Sequence, residues 1–100
     1  MPTATTSPSA PPVLSLGEIL IDFIATEQVT SLADADTFVA RNGGAPANVA
    51  VALARLGVPS AYCGVVGADA FGDRLVKGLA SEGVDASRVR VTDLATTIAF

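Results

Sequence analysis

A chain of 100 residues forms one domain at most. Half of its residues are apolar, which is enough to fill a core and argues against wholesale disorder. The net charge of −4 and the scattered placing of six basic residues argue against a nucleic-acid surface, which needs clustered Lys and Arg. Histidine is absent and Cys63 is the single cysteine, which excludes an internal disulfide, a Ser-His-Asp triad and a His–Cys zinc site within the chain.

Residues 1–12 are rich in Pro, Ser, Thr and Ala and carry no Lys or Arg, which predicts a disordered N-terminal tail. A signal peptide needs a basic start before an apolar stretch, and a transit peptide is typically Arg-rich. No apolar run approaches the ~20 residues of a membrane-spanning helix. We therefore expect a cytoplasmic protein without a membrane partner.

The segment Val13–Ile24 is mostly apolar, β-branched and aromatic, which predicts one strand buried on both faces. Gly17 marks a bulge or a close backbone approach in it. Asp22 stands out in this run because an unpaired buried carboxylate is unfavourable. Near the carboxyl end of the strand, where ligands gather in open α/β sheets, it is a candidate acceptor for ligand hydroxyls. The alternative is a partner in a turn or a helix cap.

The stretch from Ala25 to Asn42 predicts a small hairpin that projects from the main body. Its two short strands are expected at residues 29–32 and 37–40, joined by a turn at residues 33–36. The two aspartates of that turn are expected to be solvated.

Two helices are predicted in the middle of the chain. The first runs from about Pro46 to Leu56, because proline suits the first helical turn and Gly57 suits the end. The second begins near Asp69 or Ala70 and ends at Gly83, with an apolar stripe at helical spacing.

Three further strands complete the pattern, at residues 61–66, 88–91 and from 97 to 100. Strands that alternate with helices predict an α/β fold with a mainly parallel sheet. The chain stops on an aromatic residue without a polar tail, and we expect it to be the interrupted part of a longer domain.

The segment Gly43-Gly44-Ala-Pro-Ala-Asn48 is the strongest candidate for a binding site. Glycines at the mouth of a helix let a ligand approach the backbone, and the free N–H groups of the first turn point towards it. Asn48 offers both a donor and an acceptor, which suits a hydroxylated ligand. The alternative is that the glycines only turn the chain and Asn48 stabilises the turn.

Neither glycine segment matches a nucleotide-binding loop. No Lys follows Gly43-Gly44, and Asp73-Arg74 stand after Gly67–Gly72 where a phosphate-binding loop requires Lys and Ser or Thr. A dinucleotide pattern is absent as well. Any phosphate donor must therefore bind elsewhere.

Three blocks in order resemble the start of the ribokinase-like (PfkB) carbohydrate kinases. They are GEILIDF from Gly17, GGAPANVAVALARLG from Gly43 and VGADAFG from Val66. The sequences of these blocks are closer to those of fructokinases than to those of ribokinases, which usually have Lys after the two glycines. The resemblance implies the N-terminal part of a ribokinase-like three-layer fold over residues 13–100, with a small β lid at about residues 25–42.

The resemblance also implies a sugar site. Asp22, Gly43, Gly44 and Asn48 would hold sugar hydroxyls, and Phe100 would lie near the sugar. Family members use ATP and Mg²⁺, and their catalytic Asp lies in a Gly-Ala-Gly-Asp segment of the C-terminal half, which this sequence lacks. The chain alone is thus expected to hold no catalytic residue, to bind no cofactor or metal and to be inactive.

The function expected for the complete enzyme is phosphorylation of fructose to fructose 6-phosphate by ATP. Its partners would be a small-molecule sugar and a second copy bound through the lid. The alternatives are a 2-keto-3-deoxygluconate kinase or a related sugar kinase, a sugar-binding module without catalysis, and a regulatory fragment that pairs with a kinase.

Overall fold

The computed structural model describes residues 11–100, and most of the predicted tail, residues 1–10, lies outside the described residues. Residues 11–100 form six strands and two α-helices, with a short 3₁₀ turn at Leu32–Asp34. In chain order the elements are β1 Val13–Leu16, β2 Leu20–Ala25, β3 Phe38–Gly43, α1 Ala45–Arg55, β4 Ser60–Gly67, α2 Ala70–Ser81, β5 Asp85–Thr92 and β6 Ile98–Ala99.

The strands form two three-stranded sheets. The first sheet has the order β1-β4-β5 and is parallel throughout, while the second has the order β3-β2-β6. In the second sheet β2 pairs with β6 in parallel and with β3 antiparallel. The predicted α/β fold with a mainly parallel sheet is confirmed.

The prediction of one strand over residues 13–24 is wrong, because β1 and β2 belong to different sheets. The chain breaks at Gly17, whose φ of 147° is one that side chains rarely adopt. A Cβ at Gly17 would also lie 2.6 Å from Cγ of Pro46 in α1. The Tyr62 hydroxyl donates to the Gly17 carbonyl and holds the break in place.

Of the two strands predicted for the hairpin, the second is present and the first is not. Residues 29–31 form no strand, and the Ser31 side chain instead accepts from the Ala33 N–H at 3.1 Å and caps the 3₁₀ turn. The second strand extends to Gly43 and pairs with β2 over six residues. A longer antiparallel partner satisfies more backbone groups than a two-strand hairpin of four-residue strands could. The turn aspartates are exposed, as predicted.

Both helices lie close to their predicted positions. Pro46 is in the first turn of α1, and Gly57 follows its end with a φ of 83°. Asp69 caps α2, and Gly83 follows its end with a φ of 85°. Within residues 11–100, neither helix has the length and apolar character that a bilayer crossing requires.

The core lies between the two helices, the first sheet and the face of the second sheet that carries Ile21. Its largest fully buried side chains are Tyr62, Ile21 and Leu75. Burial raises the pKa of the Tyr62 phenol to about 12, because the phenolate would lose its hydration. Cys63, predicted to be a buried small hydrophobe, is half-buried next to Tyr62.

Candidate functional site

Asp22 lies in the middle of β2 rather than near the carboxyl end of a first strand, as the single-strand prediction had placed it. Its register partners are Arg41 on β3 and Ala99 on β6. Directly opposite residues of paired strands share a face, so Asp22 and Arg41 lie on the same side of the second sheet. Ile24 on that side is 55% exposed, which leaves this face open.

Gly43 lies beneath the carboxylate of Asp22. A Cβ at Gly43 would come within 2.3 Å of Oδ2 of Asp22, closer than any real side chain could lie. A larger residue at position 43 would therefore displace this carboxylate, and the structure brings two predicted site residues into direct contact.

Gly44 is constrained by a different neighbour. It is the N-cap of α1 with a φ of 101°, and a Cβ there would lie 2.5 Å from the Glu18 carbonyl oxygen and 2.9 Å from Cα of Ile19. The helix start is thus packed against the connection between β1 and β2. For Gly44, the interpretation that glycine allows the chain to turn has a clear structural basis.

Asn48 is exposed in the first turn of α1, and its backbone N–H donates to the Gly44 carbonyl at 3.0 Å. The N-terminus of α1 has no side-chain cap. Asn48 and Gly43 line a cleft of about 720 Å³ between α1 and α2, to which Asn42 also contributes. Gly43 therefore connects Asp22 on one side with the Asn48 cleft on the other.

Phe100 lies away from Asp22. Its ring stacks on Phe23 with centroids 5.5 Å apart and meets the edge of Phe38 at 5.5 Å. Because Ala99 is the register partner of Asp22, the next residue, Phe100, lies on the opposite face of the second sheet. Gly43, in contrast, contacts Asp22 and shares the cleft with Asn48, whereas Asp22 is not among the residues that line that cleft.

In the segment Gly67–Gly72, backbone N–H groups donate to the side chains of Asp69 and Thr96. Oδ1 of Asp69 accepts from the Gly72 N–H at 2.8 Å and from the Thr96 hydroxyl at 2.6 Å, and Oδ2 accepts from the Thr96 N–H at 2.9 Å. The hydrogen bonds from Thr96, then from Gly72, lower the pKa of Asp69. The N–H groups that a phosphate would need are already used by a carboxylate, so this segment does not fit a nucleotide.

Sequence reasoning missed two residues next to the site, Asn42 and Arg74. Nε of Arg74 donates to Oδ1 of Asn42 at 2.9 Å. A glycine in the interior of α2, Gly78, was the available signal, because helix interiors disfavour glycine unless another group packs there. Among residues 11–100, no three Cys, Asp or Glu side chains are grouped closely enough to hold a metal ion.

This arrangement of an α/β core, a small second sheet and a glycine-rich helix start is that of a sugar kinase, and residues 11–100 match the profile of the pfkB family carbohydrate kinases. The chain belongs to that family, as its motifs predicted. It is similar to fructokinase-1 of Oryza sativa, with 53% identity over 73 residues, which are 73% of this chain and 23% of that protein.

Two solved structures resemble the chain closely. The fructokinase of Halothermothrix orenii gives a TM-score of 0.82 at 43% identity, over 87% of this chain and 32% of that one. An uncharacterized sugar kinase from Pyrococcus horikoshii, solved in complex with ATP, gives 0.83 at 42% identity, over 86% of this chain and 28% of that one. The chain spans about a quarter of the length of the curated relatives that it matches.

Proposed function

We propose that this chain supplies the acceptor-sugar site of a kinase that phosphorylates fructose to fructose 6-phosphate with ATP. The observation that carries the proposal is the carboxylate of Asp22, placed on an open sheet face directly over Gly43. The high identity to fructokinases supports fructose as the substrate.

The proposed roles follow from hydrogen-bonding capacity. An ionised carboxylate accepts strong bonds from hydroxyls, so Asp22 would bind the sugar through two of them. Asn48 can donate to one hydroxyl and accept from another. These groups bind and orient the sugar, and we assign no proton transfer to either of them.

The Gly67–Gly72 segment does not fit the phosphates of ATP. The Gly67–Gly72 segment is filled by Asp69 and Thr96, and the described carboxylates form no metal-binding group. We therefore propose that the nucleotide of the complete enzyme binds at residues other than Gly67–Gly72, and the metal and the catalytic base stay predictions from the family resemblance.

The second sheet is proposed to cover the bound sugar as a lid, because Asp22 lies on its open face. This sheet includes part of the predicted lid region, residues 25–42, through β3. A dimer formed through the lid and a cytoplasmic location both stay predictions.

The test is a substrate panel on a full-length kinase polypeptide that carries this chain. We expect fructose to be phosphorylated with the highest kcat/KM, and Asp22→Asn to lower that value at least about 10-fold through loss of charged hydrogen bonds. The KM for ATP should not change. Asp73→Asn, which alters an exposed carboxylate on α2, is the matched control.

The other outcomes identify the alternatives. A preference for 2-keto-3-deoxygluconate would replace fructose as the proposed substrate and would leave the proposed kinase activity unchanged. Binding of fructose without any phosphorylation would favour a non-catalytic sugar-binding module. An unchanged kcat/KM in Asp22→Asn would remove Asp22 from the sugar site.

A further inference from the structure

Helix α2 holds the last part of β3 through one arginine. Nε of Arg74 donates to Oδ1 of Asn42 at 2.9 Å, and its Nη2 donates to the Ala40 carbonyl at 3.1 Å. The planar guanidinium thus contacts two acceptors on the same strand, which fixes its direction as well as its distance. Both acceptors are neutral groups, an amide oxygen and a backbone carbonyl oxygen. The ion pairs of residues 11–100 use other arginines, Arg55 and Arg88.

Gly78 completes this contact one turn further along α2. A Cβ at Gly78 would lie 2.4 Å from Nδ2 of Asn42, so the amide occupies the space that a side chain would need. Residues four apart on a helix share a face, which places Arg74 and Gly78 side by side. Together they form a socket for the Asn42 side chain.

Asn42 is the residue before Gly43, and this links the socket to the candidate site. In a strand, successive side chains point to opposite faces. The Asn42 side chain is therefore held by α2 on one face of the second sheet, while the carboxylate of Asp22 lies over Gly43 on the other. A shift of Asn42 would move the Gly43 backbone relative to that carboxylate.

We propose that Arg74 is a positioning residue for the acceptor sugar, acting through Asn42 on Gly43 and Gly44. This inference rests on the proposed sugar site and deepens it. Arg74 itself touches no sugar. It keeps the glycine backbone at the distance from Asp22 that sugar binding requires, and its effect should be on the KM for sugar.

The experiment compares Arg74→Met with the parent in the full-length kinase polypeptide. Methionine keeps an apolar stem but has no donor. We expect the KM for fructose to rise about 10-fold, the loss typical of a charged hydrogen bond, with the KM for ATP unchanged. Arg74→Lys should restore part of the loss. Lys77→Met, on the exposed side of the same helix, is the control and should leave both KM values unchanged.

A double-mutant cycle shows whether the effect runs through Asn42. We expect Asn42→Ala to raise the KM for fructose as well, and the double variant to be no worse than Arg74→Met alone. Additive losses would overturn the route through Asn42. A lowered melting temperature with an unchanged KM for fructose would make Arg74 a structural contact only, and would overturn the proposal.

A readout without substrate separates this inference from the proposed function. Amide hydrogen exchange at Gly43 and Gly44 should be faster in Arg74→Met than in the parent and unaffected in Lys77→Met. Unchanged exchange at both glycines refutes positioning by Arg74, whatever the substrate. If the parent phosphorylates no sugar, the proposed function fails, while faster exchange would still support the positioning of the glycines.

Discussion

At the residue scale, Asp69 and Thr96 together join the end of β4, the start of α2 and the loop before β6. The Asp69 carboxylate binds the start of α2 at Gly72 and the backbone and hydroxyl of Thr96. The same Thr96 hydroxyl accepts from the N–H of Gly67 at the end of β4 at 2.9 Å. The sequence predicted that α2 begins near Asp69 or Ala70, and the N-cap position of Asp69 confirms this. The contact to Thr96 needed the structure, because 27 residues separate the two.

The lowered pKa of Asp69 predicts a pH dependence. Since its pKa is lower in the folded than in the unfolded state, its contribution to stability is present above the ordinary aspartate range, about pH 4. That contribution is lost as the pH falls through the folded-state pKa. We expect Asp69→Asn to melt below the parent at pH 7, and the difference in melting temperature to shrink at an acidic pH below the ordinary aspartate range, about pH 4.

Asp36→Asn is the control for this series, because Asp36 is exposed in the turn before β3. It should melt with the parent at both pH values. A difference between Asp69→Asn and the parent that stays constant from neutral to acidic pH would contradict the role of the ionised carboxylate.

The candidate site was partly predictable from single residues. Gly43, Gly44 and Asn48 stand in one short motif, so local spacing was enough to find them. The contact between Asp22 and Gly43 was not predictable in this way, because it depends on the register of β2 against β3. Phe100 lies on the opposite face of the second sheet from Asp22, and its place near the sugar stays a prediction.

At the scale of elements, the break between β1 and β2 decides how the two sheets are joined. The sequence marked Gly17 as a bulge or a close backbone approach, but it did not show that the chain changes sheet there, since both halves of the run are strand-forming. Gly17 supplies the break through its φ of 147° and its contact with the ring of Pro46. The helices were easier to predict, because proline, aspartate and glycine mark their ends locally.

Gly17→Ala tests the importance of this break. We expect it to destabilise the full-length polypeptide by about 1–3 kcal/mol, because it combines an unfavourable φ with a contact of 2.6 Å to Pro46. Gly57→Ala is a matched control, since its φ is 83° and a Cβ there would meet nothing within 4 Å. Denaturant unfolding should show the larger loss for Gly17→Ala, and equal losses would show that packing against Pro46 is unimportant.

At the scale of the whole molecule, the first sheet has one covered and one open face. Tyr62 and Val66 lie in the core beneath the helices. Leu14 pairs with Ala61 and Leu16 with Cys63, so Leu14, Leu16 and Val65 share the other face. These three side chains are 51%, 71% and 52% exposed. An apolar patch of this kind normally packs against another part of a protein.

The 100-residue chain is therefore expected to bind a hydrophobic dye strongly. The double substitution Leu16→Ser with Val65→Ser should reduce dye fluorescence, because it removes much of the exposed apolar surface of this face. Leu56→Ser, at an exposed leucine after α1, should have a smaller effect. Weak dye binding together with a sharp cooperative melt would show that this face is not an apolar binding surface.

The sequence by itself determined the α/β class, both helices with their capping residues and the motifs of the family. These features depend on residues a few positions apart in the chain, so local conformational preferences are enough to predict them. Only the tertiary structure decided which strands pair, which face of the second sheet carries Asp22, and that Arg74 reaches Asn42. Those features depend on contacts between residues far apart in the chain, because a strand's partner and register are set by packing rather than by its own residues.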